Sequence, residues 1–435
     1  MTGLSRRGLL RASALAGSAG ALAACSSKLK GAGSTGDTGT LKIGYVSPQT
    51  GPLASFAASD NFVIDQVRAA IGSGITAGGS KRSIEIVVKD SQSDSTRAAA
   101  VTRDLIFQDK VDIVLASATP DTANPVADAC EANGMPNVST IVPWEAWFFG
   151  RGLKPGQSFK YTTMFFFGMK EFTDLFIHMW DRINQTDNGA DKNVACLWPN
   201  DTDANAFRSG FTPVMPQRGY KVIDSGGYQD LSTDYSAQIA KFKANHCELF
   251  TCTPLPPDFQ TFWKQAAQQG YKPRLATVAK VMLFPSEAES LGQLSNNVAT
   301  DVWWSPSHPY KSLFDGKTAQ QLADAFAQST GKQWSQALGS VYTLFEIAVQ
   351  ALKGASDPKH KDDVANQLKN MKINGMSGPL DFTTGPQPGI AIQIPVGGQW
   401  RPGTKFPWDM FLVDNTFNSS IPTTGDLQPT NPLGA

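Results

Sequence analysis

Long apolar runs, an excess of one charge and motifs for covalent chemistry are what this sequence has least of. Beyond residue 24 there is no run of eighteen or more apolar residues, so no membrane-spanning helix is expected. Lysine plus arginine number 38 and aspartate plus glutamate 38. A chain so balanced has no bulk electrostatic reason to bind nucleic acid or an anionic lipid surface, and nucleic acid is not expected as a partner. The four histidines, His178, His246, His308 and His360, are scattered, and no cysteine pair has metal-ligand spacing. No metal and no other cofactor is therefore expected. Also absent are His-Glu-x-x-His, a phosphate loop ending in Gly-Lys-Ser/Thr, Gly-x-Gly-x-x-Gly after the first strand and, past residue 24, Gly-x-Ser-x-Gly. The carboxylates are many but have no telling spacing. These absences argue against an exported hydrolase or other enzyme, and no catalytic residue is assigned.

Cysteine is sparse too, with five in 435 residues. Cys130 falls in a helical pattern; Cys196, Cys247 and Cys252 lie in or beside apolar strand-like runs. Cys247 and Cys252 would be about 16 Å apart along one strand, too far to bridge. Buried free thiols are the expectation, with a Cys196–Cys252 link between neighbouring strands as the disulfide alternative.

What is present begins at the first residues. Ser5-Arg6-Arg7-Gly8-Leu9-Leu10 reads as a twin-arginine export signal, followed by an apolar run of about sixteen residues, Leu9 to Ala24. It ends in Leu22-Ala23-Ala24-Cys25, which fits a bacterial lipobox. Such a run is too short to anchor the mature chain as a helix. Residues 1–24 are read as a signal peptide, with Cys25 lipidated as the first mature residue and the globule held outside the cytoplasm at the cell membrane. Loss of residues 1–24 removes Arg6, Arg7 and Arg11 and no acid, leaving a slightly negative chain of about 411 residues, a length for two domains or slightly more. Residues 25–39 are mostly Gly, Ser, Thr and Lys and read as a flexible tether.

From Leu41 the patterning alternates. Strand-like runs at Leu41–Val46, Ser83–Lys89, Val111–Ala116 and Pro136–Ile141 are separated by helical patterns at about Ser55–Ile71, Asp94–Lys110 and Thr122–Asn133. A second series follows a break near Gly150–Phe159: strands at Asn193–Trp198, Lys221–Ser225, Glu248–Thr253 and Arg274–Val278, with helices at Asp203–Gln217, Asp234–Asn245 and Pro257–Gln269. Further helices are expected at Thr318–Thr330, Gln336–Lys353 and Lys361–Met371, and residues 415–435 read as an irregular tail. Two such series predict α/β architecture with two open, mostly parallel-sheet lobes.

The order of short motifs resembles the leucine/isoleucine/valine-binding type of ABC-transporter solute-binding lipoprotein, a type I periplasmic binding fold. The residues that carry it are Leu41-Lys42-Ile43-Gly44 leading to Thr50-Gly51-Pro52, Asn124-Pro125-Val126-Ala127-Asp128, Asp230–Asp234 with Ser236–Ile239, Lys264–Gly270, and Gly378-Pro379-Leu380-Asp381-Phe382. The resemblance spans about residues 40–414 and implies three hinge crossings, placed near Pro155–Tyr161, Asn297–Trp304 and Met376–Leu380. Lobe one is then 40–157 plus 304–377, and lobe two 158–303 plus 378–414.

A solute would sit between the lobes at strand ends, where free N–H groups and helix dipoles suit an anion. The resemblance implies that the loop Ser117–Thr122 donates to an amino-acid carboxylate through Ser117, Thr119 and Thr122. The plain alternative is helix capping by Asp121 or Thr122. Asp121 departs from the family's small hydroxyls, and its charge would repel a carboxylate. Ser139 fits the pattern after the fourth strand; Trp144 does not, but could stack on a solute, whereas Phe148 and Phe149 read as a hydrophobic plug. Phe56 lies where the family places an aromatic over the ligand. In lobe two the candidates are Asp201, Asp203 and Thr253, with Asp258 placed to meet an ammonium and Lys280 to meet an anion or pair with Asp201 or Asp258. Trp303 and Trp304 read as hinge packing. The implied function is the substrate-binding component of an ABC importer, and a monomer is expected. It would capture a small amino-acid-like or amide solute for a permease with its membrane and ATPase subunits. The alternatives are a small aromatic or heterocyclic ligand, or a sensor for a membrane receptor.

Overall fold

The computed structural model describes residues 39–185 and 192–430. Cys25, the export segment and most of the tether lie outside them. Two open sheets organise the chain. In the first, the spatial order is Ile84–Asp90, Leu41–Ser47, Ile113–Ala116, Asn137–Thr140, Thr162–Phe165, Ile390–Ala391, with every neighbouring pair parallel. In the second, Lys221–Asp224, Asn193–Leu197, Leu249–Cys252, Leu275–Val278 and Ala299–Val302 are parallel. Val396–Pro402 and Trp408–Asp414 extend that sheet antiparallel.

The central strands Ile113–Ala116 and Leu249–Cys252 are buried at every position. Helices cover both faces, which is why these strands read as continuous apolar runs rather than alternating ones. The helix Ala337–Gly354 is almost wholly buried and packs on the first sheet, the Phe345 ring 5.5 Å from that of Tyr45. Met169–Gln185 serves the second sheet, where the Trp180 indole donates to Thr277 Oγ1 at 3.2 Å. Local signals set helix ends: at Ala319–Thr330 the Thr318 hydroxyl accepts from the Gln321 N–H, and the Gln321 side chain accepts from the Thr318 N–H. Gly331, at φ 70°, then ends the helix in the left-handed region. Among the described residues, no helix is long and apolar enough to cross a membrane.

Three crossings join the lobes, and two lie elsewhere than expected. Thr162–Phe165 is not the start of lobe two: it adds to the first sheet beside Asn137–Thr140, so the first crossing falls at residues 166–168. The stretch near Pro155–Tyr161 is held to lobe one by Arg151, whose guanidinium lies 3.7 Å from the Phe159 ring centroid and donates to Asp128 at 2.7 Å. Lys372–Gly375 and Gly378–Asp381 form a hairpin, and Ile390–Ala391 still pairs with the first sheet. The third crossing is therefore 392–395 rather than Met376–Leu380. The second lies just past Val302, at the end of the expected interval. The crossings interlock: the Trp303 ring sits 4.9 Å from Phe166, and the Gln393 amide donates to the Trp303 carbonyl at 2.8 Å.

Residues 415–430 have no regular element but are tied to lobe two. The Ala276 N–H donates to Thr430 Oγ1 at 2.9 Å, and Ile421 and Leu427 are buried. Cys130, Cys196 and Cys252 are buried free thiols, and Cys247 is buried as well. The Cys196–Cys252 alternative fails on register. Cys196 lies opposite Thr251, so Cys252 is one residue on and faces the other side of the sheet.

Candidate functional site

Strand order reverses at Leu41–Ser47 in the first sheet and at Asn193–Leu197 in the second. Chain leaving the strands on either side of a reversal diverges and opens a crevice. Here the two crevices meet in one cavity. Lobe one contributes Phe56, Thr119, Pro120 and Ile141; lobe two contributes Asp203, Thr253, Lys280 and Asp301. Free space in it is about 30 Å³, room for two or three waters at the roughly 10–15 Å³ each requires on this measure. Phe56 of lobe one meets Phe284 of lobe two edge to face at 4.7 Å, so the jaws touch. A solute larger than water has to part them.

Three residues lining this cavity carry positive φ without being glycine: Thr119 at 61°, Ile141 at 57° and Lys280 at 68°. For the β-branched pair such a backbone is rare and costs of order 1–3 kcal/mol, a strain characteristic of functional sites. Each lies just past a strand end, where the turn aims the following groups between the lobes.

The electrostatics centre on Lys280. Its ammonium is 3.3 Å from Asp201 Oδ2 and 3.4 Å from Asp203 Oδ2, almost out of reach of water. Burial opposes its charge, but Asp201, Asp203 and Asp121 outweigh that and hold its pKa above the ordinary lysine range. One ammonium cannot hold every carboxyl down. Burial pushes Asp203 up to about 6 despite Lys280, with Asp201 and Asp121 adding repulsion. Burial pushes Asp301 up to about 7, against the hydrogen bond from Thr300. Asp203 Oδ1 and Asp301 Oδ2 are buried with no hydrogen-bond partner among the described residues.

Of the residues expected from sequence, Phe56, Thr119, Asp203, Thr253 and Lys280 line the cavity. Asp201 and Asp121 stand behind it: Asp201 caps the helix Thr202–Gly210 by accepting from the Ala204 N–H at 2.6 Å, and Asp121 accepts from the Thr119 hydroxyl at 3.4 Å. The others lie elsewhere. Ser117 is buried, its N–H bonded to the Val46 carbonyl. Thr122 bonds Ser91 side chain to side chain at 3.0 Å, inside lobe one. Ser139 donates to Asn137 Oδ1 at 3.1 Å within its own strand. Trp144 stacks near Phe149 at 5.5 Å and abuts Gly168 of the first crossing, so it packs a hinge rather than walling the solute. Phe148 is buried and Phe149 is 40% exposed, so only the first acts as a plug. Asp258 turns away from the cavity, its Oδ2 accepting from the Leu231 N–H at 3.1 Å beside Tyr235. An acid in a helix's first turn is drawn to nearby N–H groups, and here the Leu231 loop supplies one.

Sequence reasoning missed Asp301, Phe166, Phe172 and Phe207, and took Trp303 mainly for hinge packing, although all line the cavity. Asp301 left a signal: it is a lone acid inside the buried strand Ala299–Val302, where an ionised side chain is costly without a purpose. The aromatics left none, because twenty-five phenylalanines in the chain look alike in sequence. A wider groove of about 690 Å³ runs past Phe149, Met169, Lys170 and Asn205 near the first crossing. It contains none of the buried unpaired carboxyl oxygens, and we place the candidate site in the smaller cavity.

Residues 40–392 match the family described as periplasmic binding proteins. No curated protein matches the sequence significantly. Among solved structures, the chain is similar to a leucine-binding protein, LivK, from Thermotoga maritima: 18% identity, TM-score 0.70, covering 87% of this chain and 100% of that one. It is similar to LivJ of Streptococcus pneumoniae in complex with isoleucine, at 17% identity and TM-score 0.65, covering 90% and 99%. A solute-binding protein of an ABC transporter from Rhodopseudomonas palustris, in complex with 3,4-dihydroxybenzoic acid, aligns at 18% identity and TM-score 0.69 over 86% and 96%. At such identity these likenesses speak for the fold.

Proposed function

This chain belongs to the family of periplasmic binding proteins, the extracytoplasmic solute-binding components of ABC transporters, and on that premise we propose that it captures a small N–H-bearing solute, amino-acid-like or an amide, between its lobes. Closure would bury the solute and present the closed form to a permease, with no covalent step. The observation that carries this reading is the cavity between the lobes, with two buried carboxyl oxygens lacking partners. The aromatic wall, with Phe166 and Trp303 at 4.9 Å and Phe172 and Phe207 at 4.7 Å, keeps a small aromatic or heterocyclic solute as the second reading. Export by the twin-arginine segment and a lipid on Cys25 would tether the protein at the membrane.

A thermal-shift screen of the purified chain over amino acids, amides and small aromatics tests the ligand class. A solute at 100 times its dissociation constant should stabilise by about 2.7 kcal/mol. Uptake of that solute should fall when the protein is deleted. Unchanged uptake, with loss of a transcriptional or chemotactic response instead, would favour a sensor. A Cys25→Ser change should release the protein from the membrane fraction, and retention there would remove the lipid anchor.

A further inference from the structure

The donors and acceptors of the cavity do not balance, and the imbalance bears on solute charge. On the donor side, the two hydroxyls and the ammonium are already engaged. The Thr119 N–H goes to the Ile141 carbonyl, and its hydroxyl to Asp121 Oδ2. The Thr253 hydroxyl goes to Asp203 Oδ2 at 3.4 Å. Lys280, the one cation lining the cavity among the described residues, is held by Asp201 and Asp203. The helix Thr119–Ala132 begins at the cavity, but its first turn holds Asp121 and its second residue is Pro120, which has no N–H. An incoming carboxylate would meet the like charge of Asp121 at that helix end.

On the acceptor side, Asp203 Oδ1 and Asp301 Oδ2 are free, both in residues more than nine-tenths buried. Three carboxyl groups, Asp121, Asp201 and Asp203, thus act on one ammonium, while Asp301 lines the same cavity and is repelled by Asp203. The remaining wall is aromatic, chiefly Phe56, Phe166, Phe172, Phe207 and Trp303. Ring faces beside buried acids attract cations and give carboxylates nothing. The Trp303 indole N–H also lacks a partner; it is a neutral donor suited to a hydroxyl or ether oxygen.

We infer that the solute is a protonated amine on a compact apolar body, without a carboxylate of its own, whose ammonium sits between Asp203 and Asp301 against the aromatic wall. This rests on the binding-protein reading above and, among N–H-bearing solutes, puts an amine in place of the amino acid or amide. A bound cation completes both acids, and it supplies the charge that Lys280 alone cannot.

Calorimetry on the full chain in detergent tests this with two matched pairs: benzylamine against benzoate, and isoamylamine against leucine. Each amine should bind at least 100-fold tighter than its carboxylate-bearing counterpart. Asp301→Asn and Asp203→Asn should each weaken amine binding at least tenfold. Two variants are used because either acid could also serve folding, and thermal unfolding of each identifies the one that stays folded. Benzoate or leucine binding as tightly as the amine overturns the inference and leaves the binding-protein reading intact. Amine binding unchanged in a folded variant overturns the placement. No binding by any of the four overturns the inference, and only a further absence of any uptake or sensing defect on deletion overturns the reading beneath it.

Discussion

Replacing Lys280 by Met would remove the ammonium from between Asp201 and Asp203 while keeping most of the side-chain volume. At 3.3–3.4 Å and an effective dielectric constant near 20, each contact is worth about 5 kcal/mol of Coulomb attraction before desolvation. Removing one partner of a buried pair costs about 3–5 kcal/mol net, and that loss is expected at pH 8. The loss should shrink in acid. Asp203 titrates near 6 in the folded protein and below 4 unfolded. Its contribution is therefore fully present below about 4 and lost as pH rises through 6. Without Lys280, and with Asp201, Asp121 and Asp301 still nearby, its folded pKa rises further. Each additional unit adds about 1.4 kcal/mol to the deficit at high pH and nothing at low pH. Urea unfolding followed by tryptophan fluorescence at pH 8 and pH 5 measures both. Adding Asp203→Asn to the variant should recover at least 1 kcal/mol at pH 8. A deficit below 1 kcal/mol at pH 8, or an equal deficit at both pH values, would refute the reasoning.

Other outcomes follow from single contacts. Glu346 accepts from the N–H groups of Leu313 at 2.7 Å and Met376 at 2.8 Å; Glu346→Ala orphans both and should cost about 2–4 kcal/mol in urea unfolding. Arg151→Lys keeps charge but loses the planar stack between Trp147 at 4.4 Å and Phe159 at 3.7 Å, which should lower stability by about 1–3 kcal/mol in the same assay. A Cβ on Gly168 would lie 2.2 Å from the Trp144 indole nitrogen, so Gly168→Ala should displace the first crossing, cost about 1–3 kcal/mol and alter the solute-dependent change in small-angle scattering. Cys130, Cys196 and Cys252 should ignore a thiol reagent in the native state and react only on unfolding, because burial raises the pKa of each and covers all three.

Much of the fold was legible because its signals are local. Leu41–Ser47 and Leu249–Cys252 are apolar runs bounded by turns, and Thr318 with Gln321 announces a helix start. The candidate site was legible at coarse grain only. Polar residues after strands pointed to Thr119, Asp203, Thr253 and Lys280, whereas Ser139, Thr122 and Asp258 carried the same signal and turned elsewhere. A polar residue after a strand says that something is bonded there. It does not say whether the partner is a solute, a helix end or the next loop.

The amino-acid string by itself determined the α/β alternation, since a strand or helix pattern depends on residues a few positions apart. Tertiary structure alone decided that Thr162–Phe165 and Ile390–Ala391 lie side by side in one sheet, and so where the jaws hinge. It also decided that Asp301 rather than Asp258 lines the cavity. A sheet edge accepts whichever strand arrives there, however distant in sequence. A side chain's direction depends on the φ and register of a backbone held by everything packed around it.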